Sequence, residues 1–364
     1  MSQIAQQPIL EVRHLVKHFP VRQTLLAAFQ RKLRQRIRAV DDVSFTLERG
    51  EVMALVGESG CGKTTIARTL IGLEQQSSGE IRFSGELIGA EERRARAGLL
   101  SVDVGRVGTR EQQMLPHMSL KRLRQRAQMI FQDPYESLNP RATVFDIVAE
   151  PLIVHGMARE REERIRRVAA AMEDAGLRPA RDYYSRFPHE LSGGQRQRVV
   201  IAGAMVLEPE LLLADEPVSM LDVSIRAEIL NLLNDLRRER GVSILFITHD
   251  LGTVAHFADK LAVMYLGRIV ERGPTEQLLR DPRHPYTKAL LSVVPVPNPR
   301  LRKARVILQG ETPNAANIPA GCRFHPRCPV AIDRCRTEDP PEIALAGDQM
   351  AACLLVSHAQ NQAA

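Results

Sequence analysis

The residues with the clearest chemistry form a glycine-rich loop early in the chain. A glycine, four further residues and then Gly-Lys-Thr make the P-loop pattern. Its glycines let backbone N–H groups converge on a β-phosphate, Lys63 neutralises β- and γ-phosphate oxygens, and Thr64 supplies a ligand for Mg²⁺. Cys61 occupies one of the four positions that the P-loop pattern leaves open, and it is interpreted as a residue without a chemical role, not as a nucleophile. The loop predicts binding of ATP and Mg²⁺ through Gly57, Glu58, Ser59, Gly60, Cys61, Gly62, Lys63, Thr64 and Thr65.

Two adjacent acids follow a short apolar run downstream. The run LLLAD puts Asp215 at the carboxyl end of a hydrophobic strand, where a carboxylate can hold Mg²⁺ across from Thr64. Glu216 comes next, and its position suits a base that orients the attacking water. Two acids that merely end a strand are the structural alternative. The P-loop upstream favours the catalytic interpretation, in which Lys63 and Glu216 take part in ATP hydrolysis.

Strands and helices alternate around these residues. Residues 9–19 and 38–48 alternate apolar and polar side chains, as half-buried antiparallel strands do. VMALV predicts a buried strand before the loop, and TTIARTLIGL predicts the helix after it. LLLAD (211–215) and SILFIT (243–248) are typical of parallel strands that are covered on both faces. The chain is therefore expected to be an α/β protein with a mainly parallel sheet.

A second glycine-containing motif, LSGGQ, lies between the loop and Asp215. Its serine can cap the helix that begins there, and its glycines let that helix N-terminus approach a γ-phosphate closely. Taken alone, the pentapeptide is equally compatible with a plain helix cap. Together with the P-loop it resembles the signature of ATP-binding-cassette (ABC) ATPases. The resemblance implies nucleotide contacts from Ser192, Gly193, Gly194 and Gln195.

Further positions resemble the same family one by one over residues 9–280. Gln132 in MIFQDP resembles the Q-loop glutamine, and Ser219 to Asp222 resemble the D-loop. His249 in ITHD resembles the switch histidine, which the resemblance brings to the γ-phosphate. It also implies that Gln132 is catalytic and joins Thr64 and Asp215 as a Mg²⁺ ligand. Phe19 resembles the aromatic residue that stacks on adenine, with burial in the core as the alternative.

The resemblance implies an architecture for residues 8–284. This is a P-loop NTPase ABC cassette with a mainly parallel RecA-like core, an antiparallel β subdomain and an α-helical signature subdomain at about 133–205. The resemblance further implies that two such cassettes pair head to tail, so that the signature of one chain closes over the P-loop of the other. The implied partner is a second ABC ATPase subunit, either identical or a related heteromeric one.

Longer stretches resemble a narrower group, the ATPase subunits of dipeptide and oligopeptide importers. These stretches are FQDPYESLNPR, HELSGGQRQR, MYLGRIVERG, DPRHPYTKALL and GCRFHPRCP. The resemblance implies two transmembrane permease subunits, an extracytoplasmic substrate-binding protein and a peripheral location at the cytoplasmic face of the inner membrane. Nickel, glutathione-like molecules and sugars remain alternative cargoes, since the cassette does not touch the cargo. A soluble ABC protein acting on ribosomes or DNA is the alternative from another class.

The C-terminal extension, residues 285–364, holds four of the five cysteines amid proline-rich connections. The intervals between them are five, six and seventeen residues, and a cytosolic chain keeps such thiols reduced. Four thiolates suit a metal. Structural zinc commonly uses shorter spacings, whereas iron–sulfur clusters accept varied spacings and a Cys-Pro step. A [4Fe–4S] cluster is predicted, with zinc and unliganded thiols as alternatives, on Cys322, Cys328, Cys335 and Cys353.

Composition excludes several other classes of protein. The 364 residues carry a net charge of +7, but the cations are interspersed with acids, which predicts a solvated basic surface and no nucleic-acid partner. No apolar run of about 18 residues and no signal-peptide layout occur, so a cytoplasmic chain is expected. The basic amphipathic stretch at 25–38 predicts a surface helix or a membrane or partner contact. We assign no function to the Arg-rich segment 86–120 from its sequence.

Overall fold

A computed structural model describes residues 7–21, 36–88, 117–294, 306–308 and 310–356. Most of the amphipathic stretch at 25–38 and most of the Arg-rich segment 86–120 lie outside these ranges. No helix in the described part of the chain is long and apolar enough to span a bilayer.

The strands of the described residues are numbered in chain order. They are β1 (Leu10–Pro20), β2 (Arg36–Leu47), β3 (Val52–Val56), β4 (Ser78–Phe83), β5 (Glu86–Ile88), β6 (His117–Met118), β7 (Ala127–Ile130), β8 (Leu211–Asp215), β9 (Ser243–Thr248), β10 (Lys260–Tyr265), β11 (Arg268–Pro274), β12 (Ile343–Ala344) and β13 (Met350–Ala351).

The α-helices are numbered in the same way. They are α1 (Lys63–Leu70), α2 (Leu120–Arg126), α3 (Pro134–Ser137), α4 (Val144–His155), α5 (Arg161–Asp174), α6 (Gly193–Met205), α7 (Val223–Arg240), α8 (Leu251–Phe257), α9 (Thr275–Arg280) and α10 (Pro285–Ser292).

The larger sheet has the strand order β12-β13-β11-β10-β3-β9-β8-β7. From β7 to β10 all neighbours are parallel, and β11, β13 and β12 continue the sheet in antiparallel pairs. The central strands β3, β8 and β9 are buried along their whole length, because helices and the smaller sheet cover both faces. The mainly parallel sheet predicted from the apolar runs is confirmed. Its parallel strands present their carboxyl ends at one edge, where the candidate site lies.

The smaller sheet has the order β2-β1-β4-β5-β6. β1 pairs antiparallel with β2 and with β4, which confirms the antiparallel strands predicted from the alternating pattern near the N-terminus. Its apolar side chains, among them Val12, Phe45 and Ile81, share one core with Leu55 of β3 and Ile66 of α1. This packing fixes the P-loop helix between the two sheets.

Helices α3 to α6 lie between β7 and β8 in the chain and share one core with strands β8 and β9 and helix α7. Val148, Leu152, Val168 and Val199 are completely buried in it. Side-chain caps define where two of these helices begin: Thr143 accepts from the backbone N–H of Asp146 at α4, and Ser192 accepts from that of Gln195 at α6. The core therefore sets the position of the LSGGQ motif at the start of α6.

The C-terminal extension packs directly on the cassette. Its strand β13 pairs with β11 and so lengthens the larger sheet. The Phe324 ring lies 5.3 Å from the rings of both Tyr265 and Tyr286, and all three side chains are fully buried. Buried Glu271 accepts hydrogen bonds from the backbone N–H of His284 and from the Gln349 amide. The extension thus completes a core shared with the cassette, since a proline-rich segment buries too little surface alone.

Candidate nucleotide site

The P-loop runs from the end of β3 to the start of α1. Gly62 directly precedes α1 with φ near 110°, a conformation that L side chains rarely adopt. A Cβ atom there would overlap the carbonyl oxygen of Ala39, and one at Gly57 would overlap that of Met264. The glycines are therefore required by the close approach of β2 and β10 to the loop. The backbone N–H groups that precede α1 lie at the positive end of its dipole, where an anion is stabilised.

Lys63 and Thr64 occupy the first turn of α1. The Lys63 ammonium is buried and donates to the carbonyl oxygens of Gly57 (2.7 Å) and Glu58 (3.0 Å). The Thr64 hydroxyl donates to Asp215 Oδ1 at 3.1 Å. Burial raises the pKa of Asp215, and the neighbouring Glu216 charge adds to this rise, although Thr64 and Lys63 oppose it. A divalent cation beside this carboxyl would favour its ionised form.

Three further predicted residues meet at the ends of β7, β8 and β9. Gln132 Nε2 donates to Glu216 Oε2 at 3.2 Å, and His249 Nδ1 lies 3.1 Å from Glu216 Oε1. The Glu216 side chain is 15% exposed and that of His249 is 61% exposed. Glu216 has φ near 47°, and its carbonyl oxygen accepts from the Ser219 hydroxyl. A carboxylate held between an amide and an imidazole at a sheet edge suits a base that takes a proton from water.

The remaining loop residues differ in exposure. Ser59 and Gly60 are exposed, and Thr65 is partly buried with its carbonyl oxygen accepting from the Thr69 hydroxyl. Cys61 is buried, and burial raises the pKa of its thiol, so the sulfur is protonated and poorly nucleophilic.

Phe19 lies near the end of β1, opposite Ile37 of β2. Its ring is partly buried, with the Lys17 ammonium 4.5 Å from the ring centroid. Phe19 is therefore not fully buried in the core, which was the alternative to stacking on adenine.

The LSGGQ motif lies apart from these contacts. Ser192 is exposed and forms a reciprocal capping box with Gln195, in which Gln195 Oε1 accepts from the Ser192 backbone N–H at 3.0 Å. A Cβ atom at Gly194 would approach the Ile225 side chain of α7 to 2.8 Å, so a larger residue would require Ile225 to move. The motif is built against α7 of its own chain and leaves a helix N-terminus facing solvent.

The four cysteines of the extension lie near one another. Burial is the main cause that raises the pKa of Cys322, to about 11, and the other three sulfurs add to the rise. The backbone N–H of Cys322 donates to the carbonyl oxygen of Cys335 at 2.9 Å. Yet no group of three or more His, Cys, Asp or Glu side chains in the described ranges could hold a metal ion as placed. The predicted [4Fe–4S] cluster therefore finds no support in this geometry.

Residues of the extension that the sequence did not single out contact the P-loop. Arg327 and Thr312 bind the Glu58 carboxylate, and the Tyr286 hydroxyl accepts from the Glu58 backbone N–H at 3.0 Å. No motif or periodicity connects positions so distant in the chain.

Two family models match the chain. The ABC transporter model matches residues 40–219, which include the P-loop, Gln132, LSGGQ and Asp215. The model for the C-terminal region of oligopeptide/dipeptide transporters matches residues 270–335.

Relatives match along almost the whole chain. The dipeptide transport ATP-binding protein DppF of Escherichia coli is 42% identical over 98% of this chain and 97% of its own length. The oligopeptide transport ATP-binding protein AppF of Bacillus subtilis is 43% identical over 98% of this chain and 100% of its own length. The di/tripeptide transport ATP-binding protein DppF of Pseudomonas aeruginosa is 43% identical over 95% and 97%.

Solved structures have the same fold. The protein cbiO1 of Clostridium perfringens, part of the ABC transporter complex cbiONQ, superposes with a TM-score of 0.57 at 27% identity, over 75% of this chain and 91% of that chain. An ATP-binding cassette in a dimeric post-hydrolysis state with ADP and Pi has a TM-score of 0.56 at 24% identity, over 73% and 98%, and supports the fold alone. The chain therefore belongs to the family of ABC transporter ATPases, with the C-terminal region of oligopeptide/dipeptide transporters.

Proposed function

We propose that the chain is the ATP-hydrolysing subunit of an ABC importer for di- or oligopeptides. The observation that carries the proposal is the convergence of Gln132 and His249 on the Glu216 carboxylate, beside the contact between Thr64 and Asp215. The relatives named for dipeptide, di/tripeptide and oligopeptide transport support the cargo class. ATP hydrolysis in this chain would drive the transport cycle of a membrane partner.

Each residue of the site has a role in the proposal. Lys63 and the backbone N–H groups of the P-loop bind the phosphates of ATP, and Glu216 orients the attacking water and takes its proton. His249 holds the Glu216 carboxylate and contacts the γ-phosphate. Phe19 stacks on the adenine ring.

Mg²⁺ fits the oxygen atoms at the start of α1. Thr64 and Asp215 offer a hydroxyl and a buried carboxylate 3.1 Å apart, and oxygen atoms are the ligands that Mg²⁺ prefers. Gln132 would add its amide oxygen. The ion supplies charge neutralisation for the phosphate oxygens when it is bound.

The second half of the site is proposed to come from another subunit. Ser192, Gly193, Gly194 and Gln195 form an exposed helix N-terminus, which suits a γ-phosphate presented by another ATPase subunit. That subunit is an identical or a related cassette. Two transmembrane permeases and an extracytoplasmic binding protein complete the proposed complex, with this chain on the cytoplasmic side of the inner membrane.

The proposed division of the chain is a cassette at 8–284, with a helical subdomain at about 133–205, and an extension at 285–364. The contacts of α4 and α5 with each other and with α6 support the helical subdomain. The pairing of β13 with β11 means that the two parts share a sheet.

The extension is proposed to bind a [4Fe–4S] cluster, with zinc as the alternative. Cys328, Cys335 and Cys353 each add to the rise in the pKa of Cys322, which supports a common location of the four thiols. The thiols would have to close in, because they do not form a metal-holding group as placed. Anaerobic purification followed by iron, sulfide and zinc determination tests the proposal, and a preparation free of all three contradicts it.

Reconstitution tests the transport function. The chain is co-purified with its permease and ATPase partners and placed in liposomes that contain ATP inside and the binding protein outside. We expect uptake of labelled di- and oligopeptides that depends on ATP and is lost in the Glu216→Gln variant. Uptake of nickel, glutathione or a sugar in place of peptides would keep the motor role and overturn the cargo. Co-purification of the chain with ribosomes or DNA, and without permeases, would overturn the transport role.

A further inference from the structure

The P-loop, which is proposed to bind the negatively charged phosphates of ATP, itself contains an ionised carboxylate. Glu58 is the second residue of the P-loop, and its side chain is 26% exposed. Arg327 Nη1 donates to Glu58 Oε2 at 2.8 Å and Nη2 donates to Oε1 at 3.1 Å, a bidentate pair. The Thr312 hydroxyl also donates to this carboxylate. Both partners belong to the C-terminal extension, whereas Glu58 belongs to the ATPase core.

The Glu58 carboxylate is electrostatically coupled to the phosphate-binding lysine. Burial raises the pKa of Glu58, but the hydrogen bonds from Arg327 and Thr312, with the charges of Arg327 and Lys63, outweigh burial and lower it. The Lys63 ammonium also donates to the Glu58 carbonyl oxygen at 3.0 Å. Without Arg327, the negative charge would repel the phosphates of ATP and compete with them for Lys63.

The segment that carries Arg327 is held in place independently of any nucleotide. Arg323 donates to the Asp41 carboxylate and to the Leu266 carbonyl oxygen, and its side chain is 7% exposed. Phe324 packs between Tyr265 and Tyr286 in the shared core. The Arg327 side chain is only 10% exposed, so its guanidinium remains next to the P-loop.

We propose that Arg327 is a positioning residue of the ATP site, which neutralises the Glu58 carboxylate and holds it against the C-terminal extension. The C-terminal extension then contributes directly to ATP affinity, through a contact 269 residues apart in the chain. The inference rests on the proposed ATPase function. ATP binding tests it without hydrolysis or transport, so the two can fail separately.

The experiment measures the Kd for ATP and the values of KM and kcat for the full chain carrying Arg327→Gln, Glu58→Gln or both changes. Arg334→Gln is the matched control, because Arg334 pairs with Glu338 in the same extension and is 52% exposed. We expect Arg327→Gln to raise Kd and KM about tenfold, with kcat within about twofold, since one compensating charge is lost. Adding Glu58→Gln should recover most of the lost affinity, because the repelling charge is then absent.

Two results would overturn the proposal. One is a Kd for Arg327→Gln equal to that of the Arg334→Gln control. The other is an equal loss of affinity from Arg327→Gln with and without Glu58→Gln, which would mean that Arg327 acts only by packing. Arg327→Lys keeps the charge but not the bidentate geometry, so it should give an intermediate Kd and serves if Arg327→Gln does not fold. A wild-type chain that binds ATP but does not hydrolyse it would overturn only the proposed function.

Discussion

The P-loop and the LSGGQ motif are both glycine-rich helix starts, but they differ in what surrounds them. Lys63 at the P-loop is buried and donates to two carbonyl oxygens of its own loop, and Thr64 contacts Asp215 across the sheet edge. Ser192 at the LSGGQ motif is exposed, and its hydrogen bonds lie within its own helix cap. One region is completed by the fold of a single chain, whereas the other presents a finished helix N-terminus to solvent.

This difference in burial suggests that the two regions have different functions in the ATPase cycle. Groups that must be close in every state are joined by buried contacts, which cost free energy to break. A helix N-terminus that must bind another subunit and leave it again in each cycle is kept exposed, because contacts buried within its own chain would oppose that movement. The P-loop region should therefore govern ATP binding and the chemical step, and the LSGGQ region only turnover in the assembled state.

The largest expected effect comes from Glu216→Gln. The amide keeps the shape of the side chain but cannot take a proton from water, so kcat should fall about 1,000-fold while ATP still binds. ATPase assays measure turnover, and light scattering measures the closed dimer in which we expect this variant to trap ATP. Glu276→Gln, on an exposed carboxylate of α9, is the control. A kcat for Glu216→Gln within twofold of that control would contradict the role of Glu216.

A smaller loss of about 100-fold in ATP affinity is expected for Lys63→Ala, because the buried ammonium is then no longer available to the phosphates. Equilibrium binding of a fluorescent ATP analogue gives the Kd. Lys260→Ala is a suitable control. Lys260 begins β10 and forms an ion pair with Glu51, which directly precedes β3, so it lies at the opposite end of β3 from the P-loop. Equal affinities of the two variants would show that the P-loop region does not bind the phosphates through Lys63.

Ser192→Ala should separate the two regions. It removes the cap of α6, and we expect about a tenfold lower kcat in the assembled state with an unchanged Kd for ATP in the isolated chain. Thr143→Ala removes the corresponding cap of α4 and controls for loss of helix stability. A Ser192→Ala chain that loses ATP affinity while monomeric would break the comparison, because LSGGQ would then act within its own chain.

The last expected effect is on stability and not on ATP binding or turnover, and it concerns how firmly the extension holds the P-loop region. Arg323 and His18 hydrogen-bond Asp41; although burial raises the pKa of Asp41, these bonds and charges lower it below its ordinary value of 3.8. The contribution to stability is complete above pH 3.8 and is lost as the pH falls through the folded pKa. Asp41→Asn should therefore lower the free energy of unfolding at pH 7 by about 2 kcal/mol.

Thermal or urea unfolding at pH 7 and pH 3 measures this effect. The difference between wild type and Asp41→Asn should shrink at pH 3. Asp42→Asn is the neighbouring control, since Asp42 is 55% exposed and pairs with exposed His14 on β1. A loss that is as large at pH 3 as at pH 7 would contradict the assignment to the ionised Asp41.

Local patterns were sufficient for much of the fold. Short apolar runs predicted β3, β8 and β9, because a strand buried on both faces must be apolar throughout. Alternation predicted that β1 and β2 are half-buried antiparallel strands, and the structure pairs them with each other. The joining of β13 to β11 had no such pattern, since a strand of two residues has no periodicity.

By itself, the sequence determined where the P-loop, the acids after LLLAD and the LSGGQ motif lie, because these motifs depend on residue type and local spacing, and it predicted from them the residues that carry the chemistry. The tertiary structure alone decided which of them meet. It joins Gln132 and His249 to Glu216, and it brings Arg327 to Glu58. Such contacts arise where strands and loops distant in the chain are packed together, and no local spacing encodes them. For the same reason the four neighbouring cysteines, whose spacing predicted a cluster, do not form a metal-holding group as placed.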